Sequence, residues 1–297
     1  MSKNFSNLLA VLALLFVITA CVCQSDRNQE TPPTKTKSQT ETADTPKNTN
    51  AKKPEEAEKK SVKEDKGDFI VEHEDVKDLK YKEFDRQIRE GKELEKAAQK
   101  LNASLSLPKN IYLRTKVCNK VNAFYDPNDS SITVCYELME YFYNLFKANG
   151  ETDQKASAKM SEVVQFVFLH EIAHALIDSY DLPVMANEED AADRCSSFIN
   201  IKELDESGAN AVISAAEAFR IESKGKVPDK RRMADEHLLK EQRFYNALCM
   251  LYGSNMKKYS YIVDQKLLPE ERAARCPSDF EKTVESWVKL LEPWRKG

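Results

Sequence analysis

The segment from Val163 to Ile177 constrains the fold of this chain more than any other. Val163, Val164, Phe166, Val167, Phe168, Leu169, Ile172, Ala173, Ala175, Leu176 and Ile177 leave it apolar on every side. A helix that is apolar all round has to be buried. Its polar exceptions are Gln165, His170, Glu171 and His174. Ionisable groups buried without partners are costly, so these side chains require a metal ion or a hydrogen-bond network. Pro183 ends the helix soon after Asp181.

The exceptions have a pattern. His170-Glu171-Ile172-Ala173-His174 reads H-E-x-x-H. Two imidazoles one turn apart on one helical face can reach a single ion. Glu171 then lies beside that ion without ligating it, placed to take a proton from a metal-bound water. The chain has only 4 histidines, so chance is a poor explanation of the spacing. The bland alternative is a buried helix whose two imidazoles hydrogen-bond to neighbours. A catalytic zinc site uses three protein ligands and leaves one position open. Downstream, Asn187-Glu188-Glu189-Asp190-Ala191-Ala192-Asp193-Arg194 begins a second helical stretch that runs through Phe198 and Ile199. Glu189 and Asp193 share a face of it. Glu189 is the expected third ligand, and Asp193 the group that orients a ligating imidazole from behind. Glu188 faces about 100° away. With Asp190, it is explained by the preference of helix N-termini for acidic residues.

This arrangement resembles the gluzincin group of zinc peptidases, the thermolysin type. In that group two motif histidines are joined by a Glu from a following helix, with an Asp four residues later. The resemblance implies His170, His174 and Glu189 as zinc ligands, Glu171 as general base and Asp193 in support. The stretch from about Gly67 to the C-terminus also resembles a bacterial family described as putative metallopeptidases of unknown function. The segments that carry this are Asn122-Ala123-Phe124-Tyr125-Asp126-Pro127, Ile132-Thr133-Val134-Cys135-Tyr136-Glu137, the motif itself, Glu189-Asp190-Ala191-Ala192-Asp193 and Gln242-Arg243-Phe244-Tyr245. The chain departs from the thermolysin pattern where Glu188 is interposed between Asn187 and Glu189, which leaves the choice between the two glutamates open. Gluzincins also supply a His or Tyr from the C-terminal part to stabilise the oxyanion. His237 is the first candidate here and Tyr245 the second. The alternative for His237 is a surface residue at a helix start. His73 reads as an exposed strand residue, and the role of Glu137, structural or at the cleft, stays open.

At the N-terminus, Lys3 precedes an apolar run from Leu8 to Ala20. The run is too short to span a bilayer stably and suits a signal-peptide core. Ile18-Thr19-Ala20-Cys21 resembles a bacterial lipobox. Residues 1–20 are therefore expected to be a signal peptide and Cys21 a lipid-carrying residue that holds the chain at a membrane of the cell envelope. The alternative is ordinary cleavage near Ala20, giving a soluble secreted or periplasmic protein. Residues 21–66 are rich in Thr, Lys, Glu, Asn, Pro and Ser with almost no large apolar residue, and read as a disordered tether. The net charge of −4 gives no argument for a nucleic-acid partner. Of the remaining cysteines, Cys118 with Cys135 and Cys249 with Cys276 are plausible disulfides in an exported chain, although spacing alone does not settle the pairing. Cys195 is then left as a buried thiol. No C-x-x-C pair occurs, which weakens cysteine as a zinc ligand.

Residues 67–297 are expected to form one α+β domain, with a small mixed sheet first and helices after it. Phe69-Ile70-Val71 and Ile111-Tyr112-Leu113 read as strands. Asn122–Tyr125 and Ser131–Tyr136 read as a hairpin around Asp126-Pro127-Asn128-Asp129. Helices are expected over 81–101, 138–148, 163–177, 188–201, 209–224, 235–252, 257–264 and, with breaks, 269–291. The layout resembles that of zincins, in which a strand edge lies above the zinc cleft and can take up an extended substrate. The strand Ile132–Tyr136 is the expected edge. The sequence thus points to an envelope-anchored zinc metallopeptidase acting on peptides or proteins. The rival readings are a non-catalytic zinc-containing lipoprotein that acts as a binding module, and a hydrolase of a non-protein amide such as a cell-wall crosslink.

Overall fold

The structure, a computed structural model, describes residues 63–185 and 187–296. The expected signal peptide, Cys21 and most of the expected tether lie outside the described residues. The last four tether residues do not. The N–H of Lys63 donates to the carbonyl of Pro293 at 3.2 Å, and those of Lys66 and Gly67 donate to the carbonyl of Leu107 at 2.7 and 2.9 Å. The ordered fold therefore reaches back at least to Lys63.

Four strands open the domain: β1 (Phe69–His73), β2 (Ile111–Lys116), β3 (Ala123–Asp126) and β4 (Ser131–Cys135). They form one mixed sheet in the order β1-β2-β4-β3. β1, β2 and β4 are parallel, and β3 returns antiparallel to β4. The expected edge is therefore displaced by one strand. β4 is buried along its whole length because β2 covers its other side, and β3 forms the edge instead. Hairpin chemistry makes β3 and β4 partners, but which of them also pairs with β2 is a long-range choice that local pattern does not express.

Between β1 and β2 run α1 (Lys82–Gly91) and α2 (Glu93–Ser104). The single helix expected over 81–101 is thus broken, at Lys92, whose φ of 53° caps α1 in the left-handed region. After the sheet come α3 (Tyr136–Ala148), α4 (Asp153–Tyr180), α5 (Glu188–Glu203), α6 (Asp205–Ser223), the short α7 (Lys230–Met233), α8 (Lys240–Ser254), the short α9 (Tyr261–Asp264) and α10 (Glu270–Ala273), and α11 (Cys276–Leu291). α8 begins at Lys240 rather than near 235, so His237 belongs to the loop before it.

α4 is the axis of the domain. Its 28 residues are capped by Thr152, whose hydroxyl accepts the N–H of Lys155, and by Asp181 in the left-handed region (φ 51°). It is long and apolar enough to cross a bilayer, yet most of its surface is covered by protein. Ile172, Ala173, Ala175 and Leu176 pack toward the sheet with Ile111, Leu113 and Ile132, and Phe166 packs with Phe219 and Leu248 of the helical part. Full burial of the larger of these, Ile172, Leu176 and Phe166, contributes roughly 1.5–3 kcal/mol each.

Both expected disulfides form. Cys118–Cys135 closes the loop ahead of β3 onto the end of β4, and Cys249–Cys276 ties α8 to α11. Closing loops of this size stabilises by about 3 kcal/mol each. Cys195 remains a buried free thiol.

Candidate metal centre

α4 and α5 pack side by side in opposite directions, and their contact is polar along one face of α5. Glu189, Asp193, Ser196 and Asn200 recur at helical spacing. Glu189 meets His170 and His174. Asp193 meets His170. The Ser196 hydroxyl donates to the Phe166 carbonyl at 2.7 Å, and Asn200 Oδ1 accepts from Gln165 Nε2 at 2.8 Å. Four buried or half-buried contacts fix the register of the helices, so the two imidazoles and the carboxylate have no freedom to drift apart. Asn187 caps α5 by accepting the N–H of Asp190 at 2.9 Å, and the acidic residues after it suit the positive end of the helix.

The donor atoms converge. His170 Nε2 lies 3.0 Å from Glu189 Oε2 and 3.1 Å from His174 Nε2, and His174 Nε2 lies 3.5 Å from Glu189 Oε1. Ligand atoms at about 2.1 Å from a tetrahedral ion would be about 3.4 Å from one another. These separations bracket that edge, so the chemistry and spacing of the three side chains suit one metal ion. The other imidazole nitrogens are also engaged. His170 Nδ1 is 2.9 Å from Asp193 Oδ1, and His174 Nδ1 is 2.7 Å from Glu188 Oε1. Carboxylates at Nδ1 hold the hydrogen there and turn the Nε2 lone pairs toward the common point.

Asp193 is itself clamped. Arg243 of α8 donates from Nε and Nη2 to its two oxygens, each at 2.7 Å, and both side chains are nearly inaccessible to solvent. Burial alone would raise the Asp193 pKa, but the guanidinium and His170 outweigh it and hold the carboxyl well below the usual range. For His170, burial opposes the charged form, while Asp193 and Glu189 overcome it and push the pKa up to about 9. Burial likewise works against ionised Glu189, and its hydrogen bonds to His170, His174 and His237 pull it far below the carboxylate range.

Glu171 is buried, and its Oε2 accepts the backbone N–H of Tyr125, in edge strand β3, at 2.9 Å. Burial raises its pKa, against the pull of His170 and His174. His237 reaches the site from its loop. Its Nε2 lies 2.9 Å from Glu189 Oε2, its Nδ1 3.2 Å from Asp235, and its ring stacks on that of His170 at 6.0 Å. It stands outside the set of three donors that lie within 4.8 Å of one another. Asn187 steadies the loop by donating to the carbonyl of Glu236 at 2.7 Å. Tyr245, the second oxyanion candidate, is not brought to the site. It stands two residues past Arg243, hence on nearly the opposite face of α8, and is exposed beside Phe244. His73 pairs with Glu95 at the surface. Glu137 is structural: its carboxylate accepts the N–H groups of Cys118 and Asn119.

Sequence reasoning missed two contributors: Arg243 lies 50 residues from its partner, and the N–H of Tyr125 is invisible to any side-chain pattern. Of the two glutamates left open, Glu189 stands with the imidazole Nε2 atoms, and Glu188 instead meets Nδ1 of His174. The arrangement as a whole can hold one metal ion between α4 and α5, with a buried carboxylate and a histidine beside it.

The model of the DUF4344 family, described as "Putative metallopeptidase", matches residues 73–291. No curated protein and no solved structure matches the chain.

Replacing Glu188 by Ala is expected to weaken metal binding about tenfold by releasing the His174 ring, with unfolding free energy changed by less than about 0.5 kcal/mol at this half-exposed position. Chelator competition and urea titration read the two effects. Metal binding must also displace the proton held by His170. Apparent affinity should therefore rise with pH, by about tenfold per unit for each imidazole that must lose a proton, the His174 pKa being raised as well, and level off above about pH 9. A flat profile would show that His170 is already neutral in the metal-free protein.

Proposed function

The chain belongs to the DUF4344 family of putative metallopeptidases, and on that footing we propose that it is a zinc-dependent peptidase with Glu171 as its general base. The observation that carries this reading is the convergence of His170 Nε2, His174 Nε2 and Glu189 on one point beside the buried Glu171. Two imidazoles and one carboxylate form the donor set of catalytic zinc, which leaves a fourth position for water. Bound zinc supplies a Lewis acid there and brings the pKa of that water toward about 7.

The chain's own groups do the rest. The N–H of Tyr125 fixes one oxygen of Glu171. The other oxygen takes the proton from the attacking water and then delivers it to the leaving amine nitrogen. Its raised pKa suits a group that must both accept and return a proton near neutrality. Asp235 orients His237, whose Nε2, set against Glu189 Oε2 in the metal-free protein, is the candidate donor to the developing oxyanion. Edge strand β3 positions the substrate. The carbonyl of Asn122 is used inward, toward Cys135, and the N–H of Tyr125 points outward, toward Glu171. By alternation, Ala123 presents its N–H and C=O to the cleft, where an extended peptide can add as a further strand.

The location proposed is the bacterial cell envelope, through a lipid on Cys21. The apolar run before Cys21 supports it, as does the presence of two disulfides, which belong to oxidising compartments.

Glu171→Gln is expected to keep its zinc and lose about 10²–10⁴-fold in kcat/KM, measured by metal analysis beside cleavage of a mixed peptide library. Full activity in that variant would remove Glu171 as base, and a wild-type protein that binds zinc but cleaves nothing would favour a binding module. Cys21→Ala should shift the protein from the membrane to the soluble fraction, and unchanged partition would end the lipid assignment.

A further inference from the structure

Away from the metal centre, a cavity of about 180 Å³ lies between the α1–α2 pair, the sheet and helices α3 and α4. None of the metal-site side chains lines it. Its floor is buried, and consists of Leu94 of α2, Val134 of β4, Met139 of α3 and Met160 of α4. Phe84 and Ile88 of α1, with Val164 and Phe168 of α4, are half-buried around it and leave it open toward solvent.

The chemistry of this lining is one-sided. Nearly all of its surface is apolar, and its polar side chains are engaged elsewhere. Thr115 shares a hydrogen bond with the Tyr136 hydroxyl at 3.0 Å, the Ser161 hydroxyl donates to the Ser157 carbonyl at 3.2 Å, and Gln165 Nε2 donates to Asn200 at 2.8 Å. Gln87 Nε2 donates to Glu83 at 2.8 Å, and Glu93 pairs with Lys96 at 3.4 Å. A buried water needs several polar partners, and a polar ligand needs placed polar groups to orient it. Hydrocarbon needs neither. Protein interiors are packed as densely as organic crystals, so a void of this size deprives the side chains around it of contacts on that side. Two of them are methionines, whose unbranched and polarisable thioethers adapt to the shape of an apolar guest.

We propose that the cavity is a binding site for a hydrocarbon group of roughly six to eight carbon atoms, an alkyl chain or an aromatic ring, given that a cavity of about 150 Å³ with Leu, Ile and Phe walls holds benzene. The inference stands apart from the peptidase reading, and neither depends on the other.

The test titrates the full chain, in detergent-free buffer, with straight-chain alcohols from propanol to decanol and, in a second arm, with benzene and toluene. Calorimetry reads the binding. Alcohol affinity should rise about three- to fourfold with each methylene and stop rising at about six to eight carbons, where the cavity is full. The arm that binds more tightly, alcohol or arene, identifies the shape of the guest. No binding in either arm, or an affinity that climbs through decanol without a break, overturns the site. Ala97 of α2 also lines the cavity, and Ala97→Phe, which places a ring in it, should weaken the tightest guest at least about tenfold. Met139→Ala removes part of the floor and should move the break to alcohols about two to three carbons longer. Undiminished binding in Ala97→Phe, or an unmoved break in Met139→Ala, overturns the assignment. The two variants change the volume in opposite directions, so if one fails to fold by circular dichroism the other decides. If both fail, the break in the wild-type series decides alone.

Discussion

The Asp193 carboxylate, held between His170 and Arg243, is the interaction on which the rest of the site depends. A lone carboxylate at that depth would be strongly disfavoured. Two charge-assisted hydrogen bonds from one guanidinium and a third from an imidazole offset the loss of water. The pair is weak evidence for net stability, since a buried ion pair replaced by apolar side chains is often neutral. Its consequence is geometric. α8 is pinned to α5 at Arg243, α5 to α4 at Asp193, and the His170 ring can sit in only one orientation.

The same logic explains why the α4–α5 contact is polar although α4 is apolar. On the face of α4 that meets α5, three polar side chains find partners there: Gln165 in Asn200, His170 in Asp193 and Glu189, and His174 in Glu188 and Glu189. Glu171 turns away and finds the N–H of Tyr125 in the sheet instead. The motif is thus divided between two supports. The imidazoles lean on a helix, and the glutamate leans on a strand edge.

Much of this was legible in the sequence because it is local. Four-residue spacing puts His170 with His174, and Glu189 with Asp193, on common faces whatever else the chain does. Alternation and turn chemistry at Asp126 to Asp129 gave the hairpin. What could not be read was long-range or contradicted a local preference. β4 rather than β3 joins β2, which moved the edge. Lys92 takes a left-handed conformation that a non-glycine residue rarely adopts, which split one helix into two. Glu188 was open only as an alternative ligand to Glu189, so its place behind the His174 ring, at Nδ1, gave no sign of itself. Arg243 looks like any cation on a helix until the distant Asp193 is placed beneath it.

The separation between Asp193 and Arg243 also orders events during synthesis. His170, His174 and Glu189 leave the ribosome well before the residue that neutralises Asp193, 50 positions further on. Until α8 arrives, Asp193 has no counter-charge to bury with, and the first imidazole has no settled backstop. A chain cut short ahead of α8 therefore carries the motif without the contact that settles its geometry.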